Sequence, residues 1–482
     1  MTESELWTET SLDNTSHPTI PGEPAQIPRL ARKLRVTDYF TLGWGSMVGV
    51  GWLVVMDDWL SRGGPLGAIL GFAIGGALLL PIGYVYGQLV MAMPDAAGEA
   101  AYTARVFSES TSFLTGWMMV LAYFIVCPWE AVAVGRIAGY IFPVLNTGEL
   151  YRIADKPVYL PHLIVGFLLT AFLTLVNYRG IRLSATFQNW TAFGTLALFA
   201  AFVTFGAAHG SSRNFAPLFS ERSIFVSIFL VIQIVPYFMT GFESVAKAAE
   251  EASPEFRRGG FFKAIIMAIV IGILFYTIVI AAVGYAAPWK SLLTTPFMTA
   301  AAFEQAVGSR WIVDLILAAA LLSLLKVFNG NFVAASRLIF ALSRRGLIGN
   351  RYARVHPFHR TPSTAVLAVG LGTGLFMFLG QALLVPVSEV GSVASASGWT
   401  AACAAYLAMK PSLNRKIVAT IGAAVGLAMI LMKVIPAVPG HFTRYEWIAL
   451  VIWVGLGVLL NRRARLARTN DAQSIVSQRT QT

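Results

Sequence analysis

Residues 265–287, IIMAIVIGILFYTIVIAAVGYAA, contain no charged side chain. A helix needs roughly 20 apolar residues to cross the ~30 Å hydrocarbon core of a bilayer, so this one run already points to a membrane-spanning chain. Comparable runs lie at 37–57, 66–92, 112–144, 161–178, 185–208, 223–247, 263–287, 311–343, 362–381, 385–409, 417–436 and 446–461. They are continuous, whereas barrel strands would alternate apolar and polar residues over about ten positions. The expected fold class is therefore all-α integral membrane, with about 12 transmembrane helices. A chain of 482 residues that is 56% hydrophobic and only 12% charged is too apolar for a soluble surface.

A net charge of +12 raises the possibility of a nucleic-acid partner, but its placement speaks against one. With both termini inside, about 24 Lys and Arg fall on the cytoplasmic side and about 9 outside, the bias expected of a multi-pass protein. The densest cluster, RRGLIGNRYARVHPFHR at 344–360, follows the eighth run, and LNRK at 413–416 and NRRARLAR at 461–468 lie on the same side. The lipid bilayer is the implied partner, in the cytoplasmic membrane. Residues 1–36 are expected to form a cytoplasmic, mostly disordered N-terminal tail without a cleavable signal, and 462–482 a cytoplasmic C-terminal tail. Cys127 and Cys403 fall inside apolar runs, where packing is their expected role.

Two runs interrupt themselves. The first crowds Gly43, Gly45, Gly49 and Gly51 into its middle, and the sixth carries Thr240-Gly241 followed by Glu243. Glycine costs about 1 kcal/mol relative to alanine inside a helix, so such crowding means either unwound backbone or very close packing of small residues. The first and sixth runs open two groups of five, and glycine-interrupted helices at corresponding positions mark an inverted-repeat transporter. Unwound backbone at membrane depth survives only where it is buried in protein or lines a cavity. There it offers N–H groups to an anion and C=O groups to a cation.

Several motifs, in order, resemble the amino acid–polyamine–organocation (APC) superfamily of permeases. They are Gly45-Ser46-Met47-Val48-Gly49-Val50-Gly51; Pro94-Asp95-Ala96-Ala97-Gly98-Glu99-Ala100-Ala101-Tyr102; and Gly241-Phe242-Glu243 with Ala249-Glu250-Glu251, Pro254 and Lys263-Ala264-Ile265. Asn329-Gly330, Ser336-Arg337, Arg345-Gly346-Leu347, Val355-His356-Pro357 and Arg360-Thr361-Pro362 complete the series. The resemblance spans roughly 37–461 and implies a LeuT-type fold. Its first five-helix repeat would cover 37–208 and its inverted second repeat 223–409, with two additional helices over 417–461. It also implies a substrate held between the two interruptions, with its carboxylate on N–H groups around Val48, Gly49, Val50 and Gly51. The amine would lie on C=O groups near Ser46 and Met47 and around Tyr237, Phe238, Thr240 and Gly241. Tyr237 occupies the position where relatives place an aromatic gate, or is an aromatic of the helix core.

Ionisable residues at membrane depth are functional candidates by default. Glu243 is the foremost, because its counterparts are implicated in proton-linked behaviour; a structural hydrogen bond is the alternative. Glu130 is expected to face the cavity, with Arg136 as a partner or a residue reaching the interface, whereas Glu389 and Asp314 fall near helix ends and are expected to be solvated. Some relatives carry a lysine on helix five where sodium-dependent ones hold sodium. The matching position here is Thr195, and Lys326 on helix eight is the candidate to fill that space, unless it pairs with Glu243 or Glu130. Val50 and Trp52 depart from the common serine and isoleucine and suggest a bulkier lining. The run EEASPEFRR at 250–258 reads as a solvated charged turn, with an inner gate formed by some of its charges as the alternative.

No P-loop is present, and the six histidines sit in tails or near loops, so neither ATP-driven chemistry nor a metal site is indicated. The expected function is a secondary transporter of amino acids or related amines, without a cofactor and not an enzyme. The coupling ion would be H+, with Na+ second. A membrane sensor that binds an amino acid without moving it is the rival; the oligomeric state is left open.

Overall fold

The computed structural model describes residues 30–220 and 223–479, so residues 1–29 of the tail expected at 1–36 lie outside the described residues, whereas its last part is not disordered: Leu30 and Leu34 are buried, and Lys33 and Leu34 bond the Glu251 carbonyl. The chain opens with α1 (Val36–Met47), α2 (Gly51–Val54), α3 (Met56–Leu78), α4 (Leu80–Ala92), α5 (Glu99–Ala104), α6 (Glu109–Phe124) and α7 (Val126–Ile141). A hairpin, β1 (Glu149–Ile153) and β2 (Lys156–Tyr159), precedes α8 (Leu160–Arg179) and α9 (Ile181–His209). Then follow α10 (Ile224–Ile232), α11 (Val235–Phe238), α12 (Ser244–Lys247), α13 (Gly259–Ala286), α14 (Trp289–Leu292), α15 (Met298–Val307) and α16 (Trp311–Arg344). The last elements are α17 (Ser363–Met377), α18 (Leu384–Ala408), α19 (Leu413–Val434) and α20 (Arg444–Arg479).

Among the described residues, 8 helices are long and apolar enough to cross a membrane, or 9 if α17 and α18, bent by 105°, form one crossing. The protein is thus a mostly helical, multi-pass membrane protein. The first and sixth expected spans fall short of this count because each is broken into short pieces. The segment Met56–Ala92 errs the other way: 37 residues would extend about 55 Å as one straight helix, far more than a bilayer core. It is divided at Gly64, whose φ of 66° and ψ of 174° are non-helical. Pro65 follows, and the Ser220 and Leu66 N–H groups bond the Gly63 and Leu218 carbonyls at 3.2 and 2.9 Å. The expected start of the second span at 66 therefore coincides with a real boundary.

Small residues set the closest packing. A Cβ built on Gly67, Gly71 or Gly75 would lie 3.2, 2.6 and 2.8 Å from Ser227, Val231 and Val235, so one face of α3 lets α10 and α11 approach to backbone contact. The centre of the molecule is α16, buried continuously from Lys326 to Leu338, against α9, α6, α7 and α1. The outermost helix, α20, is tied to α6 by a stacked Trp117–Trp453 pair at 4.5 Å. Each indole N–H of that pair donates to the other residue's carbonyl, at 2.9 and 3.1 Å.

Three expectations are corrected here. The β1–β2 hairpin is absent from an all-helical reading; it turns at Ala154 and Asp155, both with positive φ (46° and 59°), the geometry of a two-residue turn. The stretch 250–258 is not a solvated turn throughout, since Glu251 is fully buried and pairs with Arg337 at 3.1 Å. Glu389 is not solvated either: it meets Arg62 at 3.3 Å and also pairs with Lys433. Burial of such groups is sustainable because each finds an opposite charge.

Candidate functional site

Both suspect spans are interrupted where their glycines stand. The helix of α1 ends at Met47, Val48 adopts an extended conformation (φ −92°, ψ 96°), and α2 begins at Gly51. In the sixth span α11 ends at Phe238 and α12 begins at Ser244, with Gly241 at φ 136° between them. The two interruptions touch. A Cβ on Gly241 would lie 2.5 Å from the Met47 nitrogen and 2.6 Å from the Ser46 carbonyl carbon, so only glycine allows these backbones to meet.

The freed backbone groups are taken up by side chains from other helices. Asn331 Nδ2 donates to the Ser46 carbonyl at 2.8 Å, and Ser323 Oγ to the Gly49 carbonyl at 2.9 Å. Tyr276 Oη bridges the breaks, its one proton shared between or alternating over Met47 O at 3.2 Å and Phe238 O at 3.0 Å. Lys326 Nζ donates to the Val48 carbonyl and lies 4.4 Å from the centre of the Trp44 ring. Glu130 lies beside the Val50 backbone, and its Oε2 has no hydrogen-bond partner among the described residues. Lys326 therefore sits at the first break and is not ion-paired with Glu243 or Glu130 among the described residues; it is a backbone cap with Glu130 as a nearby charge. Thr195 turns inward to its own helix, donating to Thr191 O at 2.7 Å.

At the second break Thr240 Oγ1 bonds Pro236 O at 2.6 Å and also Ser395 Oγ. The Gly241 N–H donates to Glu243 Oε2 at 3.1 Å, while Glu243 Oε1 has no hydrogen-bond partner among the described residues. Tyr123 faces that carboxyl group. Tyr237 lies against Gly391, 6.5 Å from Trp129, with its hydroxyl unpartnered among the described residues, and Phe238 packs between Trp59 (4.8 Å) and Phe72 (6.3 Å). Every side chain of the two breaks is buried, Tyr237 and Phe238 being the most accessible at 7%.

Ser46, Met47, Val48, Gly49, Val50, Gly51, Tyr237, Phe238, Thr240, Gly241, Glu243, Glu130 and Lys326 are thus brought together around one buried junction. Arg136 is not part of it: its guanidinium lies 5.5 Å from the Phe297 ring. Trp52 packs on Phe202 at 5.3 Å, so it belongs to an aromatic cluster with α9 and does not supply the bulkier lining expected of it. Tyr276, Ser323 and Asn331 escaped the sequence reading, although Ser323 stands one helical turn from Lys326 and shares its face. A second buried centre was also missed, where Lys247 pairs with Glu99 and Tyr86 Oη donates to Glu99 at 2.6 Å.

Residues 39–462 match the family model for amino acid permeases. The chain belongs to the amino acid permease family. It is 24% identical to the methylthioribose transporter of Bacillus subtilis (strain 168) over 450 residues, covering 89% of this chain and 93% of that protein. It is 24% identical to the branched-chain amino acid permease BcaP of the same organism, over 76% and 77% of the two chains. It is 25% identical to that organism's aspartate-proton symporter, over 70% and 65%. The match to the family model begins within α1 and ends in α20, so this permease carries both breaks inside the matched region. Membership of a transporter family supports transport, and nothing among the relatives favours the sensor.

Proposed function

We propose that this permease moves amino acids or related amines across the cytoplasmic membrane by alternating access around the junction of its two broken helices. The observation that carries the reading is the backbone contact between Gly241 and Ser46–Met47 in a fully buried interior. Unwound backbone is tolerated there because it can be completed by a ligand or by neighbouring side chains. In this reading the first and sixth spans each count as one crossing and α17 and α18 as two. That gives about twelve crossings with both termini cytoplasmic, and two inverted five-helix repeats followed by α19 and α20.

Substrate groups would enter where the present bonds can be exchanged or shared. The Ser46 carbonyl already accepts from Asn331 but keeps a second lone pair. The unpartnered Oε2 of Glu130 suits an ammonium group, and this favours substrates with an amine. Named relatives include an aspartate-proton symporter and a branched-chain amino acid permease, which supports amino acids as the class. In this reading Glu243 carries the proton coupling, its buried Oε1 having no hydrogen-bond partner among the described residues.

Uptake of labelled amino acids and amines into proteoliposomes, with and without an inward proton gradient, tests both points. Gradient-enhanced uptake by the intact protein, with the enhancement lost in Glu243→Gln, is expected. Binding without flux in either condition would remove the transporter reading. Lys326→Ala is expected to lower initial uptake about 10- to 100-fold, since a hydrogen bond to a charged group contributes about 1.5–3 kcal/mol. Wild-type uptake with an unchanged pH profile in that variant would reduce Lys326 to packing.

A further inference from the structure

Lys247 and Glu99, both fully buried, form an ion pair, and Tyr86 Oη donates to the other Glu99 oxygen at 2.6 Å. Gly98 makes room for the ammonium: its φ is 47°, and a Cβ built there would lie 2.5 Å from Lys247 Nζ. Lys247 stands four residues after Glu243, about one helical turn, yet it pairs with Glu99. Glu243 nevertheless lies within electrostatic reach of both Lys247 and Glu99, so the three groups form one cluster of two carboxylates and a single ammonium. Tyr86, Tyr102 and Tyr123 face it from α4, α5 and α6, with the Lys247 nitrogen 5.5 Å from the centre of the Tyr123 ring. Tyr39 of α1 is bonded to the Ala248 carbonyl at 2.8 Å. The buried cations of α16 are engaged elsewhere, Arg337 by Glu251 and Lys326 by the Val48 carbonyl.

Charge counting fixes what the closed cluster can hold. A buried ion without an opposite charge is strongly unfavourable, whereas a matched and hydrogen-bonded pair is sustainable. With Lys247 paired to Glu99, the cluster is neutral only if Glu243 keeps its proton. Loss of that proton leaves two negative charges to one positive, so the two carboxyl groups titrate as a unit. The segments that carry the pair also wall a cavity of about 1180 Å3 at the basic end of the bundle, through Pro94 and Asp95 before Glu99 and through Ala249 and Glu250 after Lys247. The Ala96 N–H donates to Glu250 Oε1 at 2.9 Å and joins the two segments. Parting of these segments would bring water from the cavity to the carboxylates, and hydration removes the penalty of the extra charge.

We propose that the Lys247–Glu99 pair fixes the proton count of this cluster at one, keeps that proton on Glu243 while the wall to the cavity is closed, and lets it go to cavity water when the wall parts. Lys247 and Glu99 are positioning residues: neither carries the proton, and together they determine when Glu243 can release it. The proton passes from Glu243 to a water molecule, and the carboxylate left behind is met by Lys247, which water frees from Glu99. This role rests on the proposed function of Glu243 as the proton carrier of transport.

The test uses the full chain reconstituted in vesicles near neutral pH and reads the infrared carbonyl band of protonated carboxyl groups. The band that disappears in Glu243→Gln marks the Glu243 proton. It should be absent from Glu99→Gln, where Lys247 balances an ionised Glu243, and present in Lys247→Met/Glu99→Leu, where no cation remains and only a protonated Glu243 is neutral. Lys247→Met alone leaves two carboxyl groups and no cation, so a second protonated-carboxyl band should appear; this variant decides the count if Glu99→Gln does not fold. Gradient-enhanced uptake per folded molecule should follow the band, lost in Glu99→Gln and within about threefold of the parent in the double variant, since an apolar replacement of a buried pair is often neutral. A purely structural pair would instead lower the yield of folded Glu99→Gln and leave its band and its response to the gradient in place. Persistence of the Glu243 band in Glu99→Gln, its absence from the double variant, or Lys247→Met without a second band overturns the count. The expected bands with gradient-enhanced uptake surviving in Glu99→Gln overturn the link to transport. Because the band is read without flux, a parent whose uptake ignores the gradient would remove the proton-coupling reading while the bands still decide the count.

Discussion

Gly241→Ala is expected to lower uptake about 100-fold while the protein still reaches the membrane. The backbone at 241 has a φ of 136°, a conformation that costs a non-glycine residue about 1–3 kcal/mol. The added methyl would also meet the Met47 nitrogen at 2.5 Å and the Ser46 carbonyl carbon at 2.6 Å. Neither atom belongs to a flexible side chain, so the two breaks would be forced apart, at a cost of about 1–3 kcal/mol more. Tyr276, which bridges Met47 and Phe238, would lose one of its acceptors in the process. The measurement is initial uptake per folded molecule, with Gly455→Ala as the control because nothing lies within 4 Å of a Cβ built there. Uptake by Gly241→Ala within a factor of two of the parent would mean that the breaks need not touch during transport.

Arg337→Ala should produce the largest loss of stability. Arg337 and Glu251 are both fully buried, with Nε and Nη2 at 3.1 and 3.3 Å from the carboxylate oxygens. Removing one partner leaves an uncompensated buried charge, which costs about 3–5 kcal/mol, whereas replacing both by apolar residues of similar size is often neutral. The single variant is therefore expected to unfold several degrees below the parent in detergent, and Arg337→Met/Glu251→Leu to recover most of the difference. A single variant as stable as the parent, or a double variant no better than the single, would show that the pair contributes little beyond the backbone bonds that Lys33 and Leu34 make to Glu251.

These residues also mark the limit of what the sequence discloses. The interruptions at Val48–Val50 and at Gly241 were legible because glycine and Thr-Gly inside an apolar run contradict the local helical preference, and only a tertiary reason sustains such a contradiction. Lys326 and Glu130 stood out for the same reason, as charges where the surroundings are apolar. The pairing of Glu251 with Arg337 was not legible, since the two are 86 positions apart and Glu250-Glu251 reads locally like any solvated acidic turn. Glu389 was misjudged likewise: nearness to a helix end suggested water, but Lys433 and Arg62 arrive from helices distant in sequence. Tyr276 sits in an apolar run as an unremarkable aromatic, and only the meeting of two breaks gives its hydroxyl two carbonyls to serve. The break at Gly64 lies between a run that ended and one that began, so the periodicity located it without revealing its geometry.

The ammonium of Lys326, bonded to the Val48 carbonyl, bears on the thermodynamic limit of accumulation. In the proposed transport reading the Lys326 nitrogen is covalently part of α16 and is exchanged with neither compartment, so only a proton that it takes up or releases can enter the work available per cycle. In that reading the steepest substrate gradient is set by the species, protons included, that bind on one side and leave on the other.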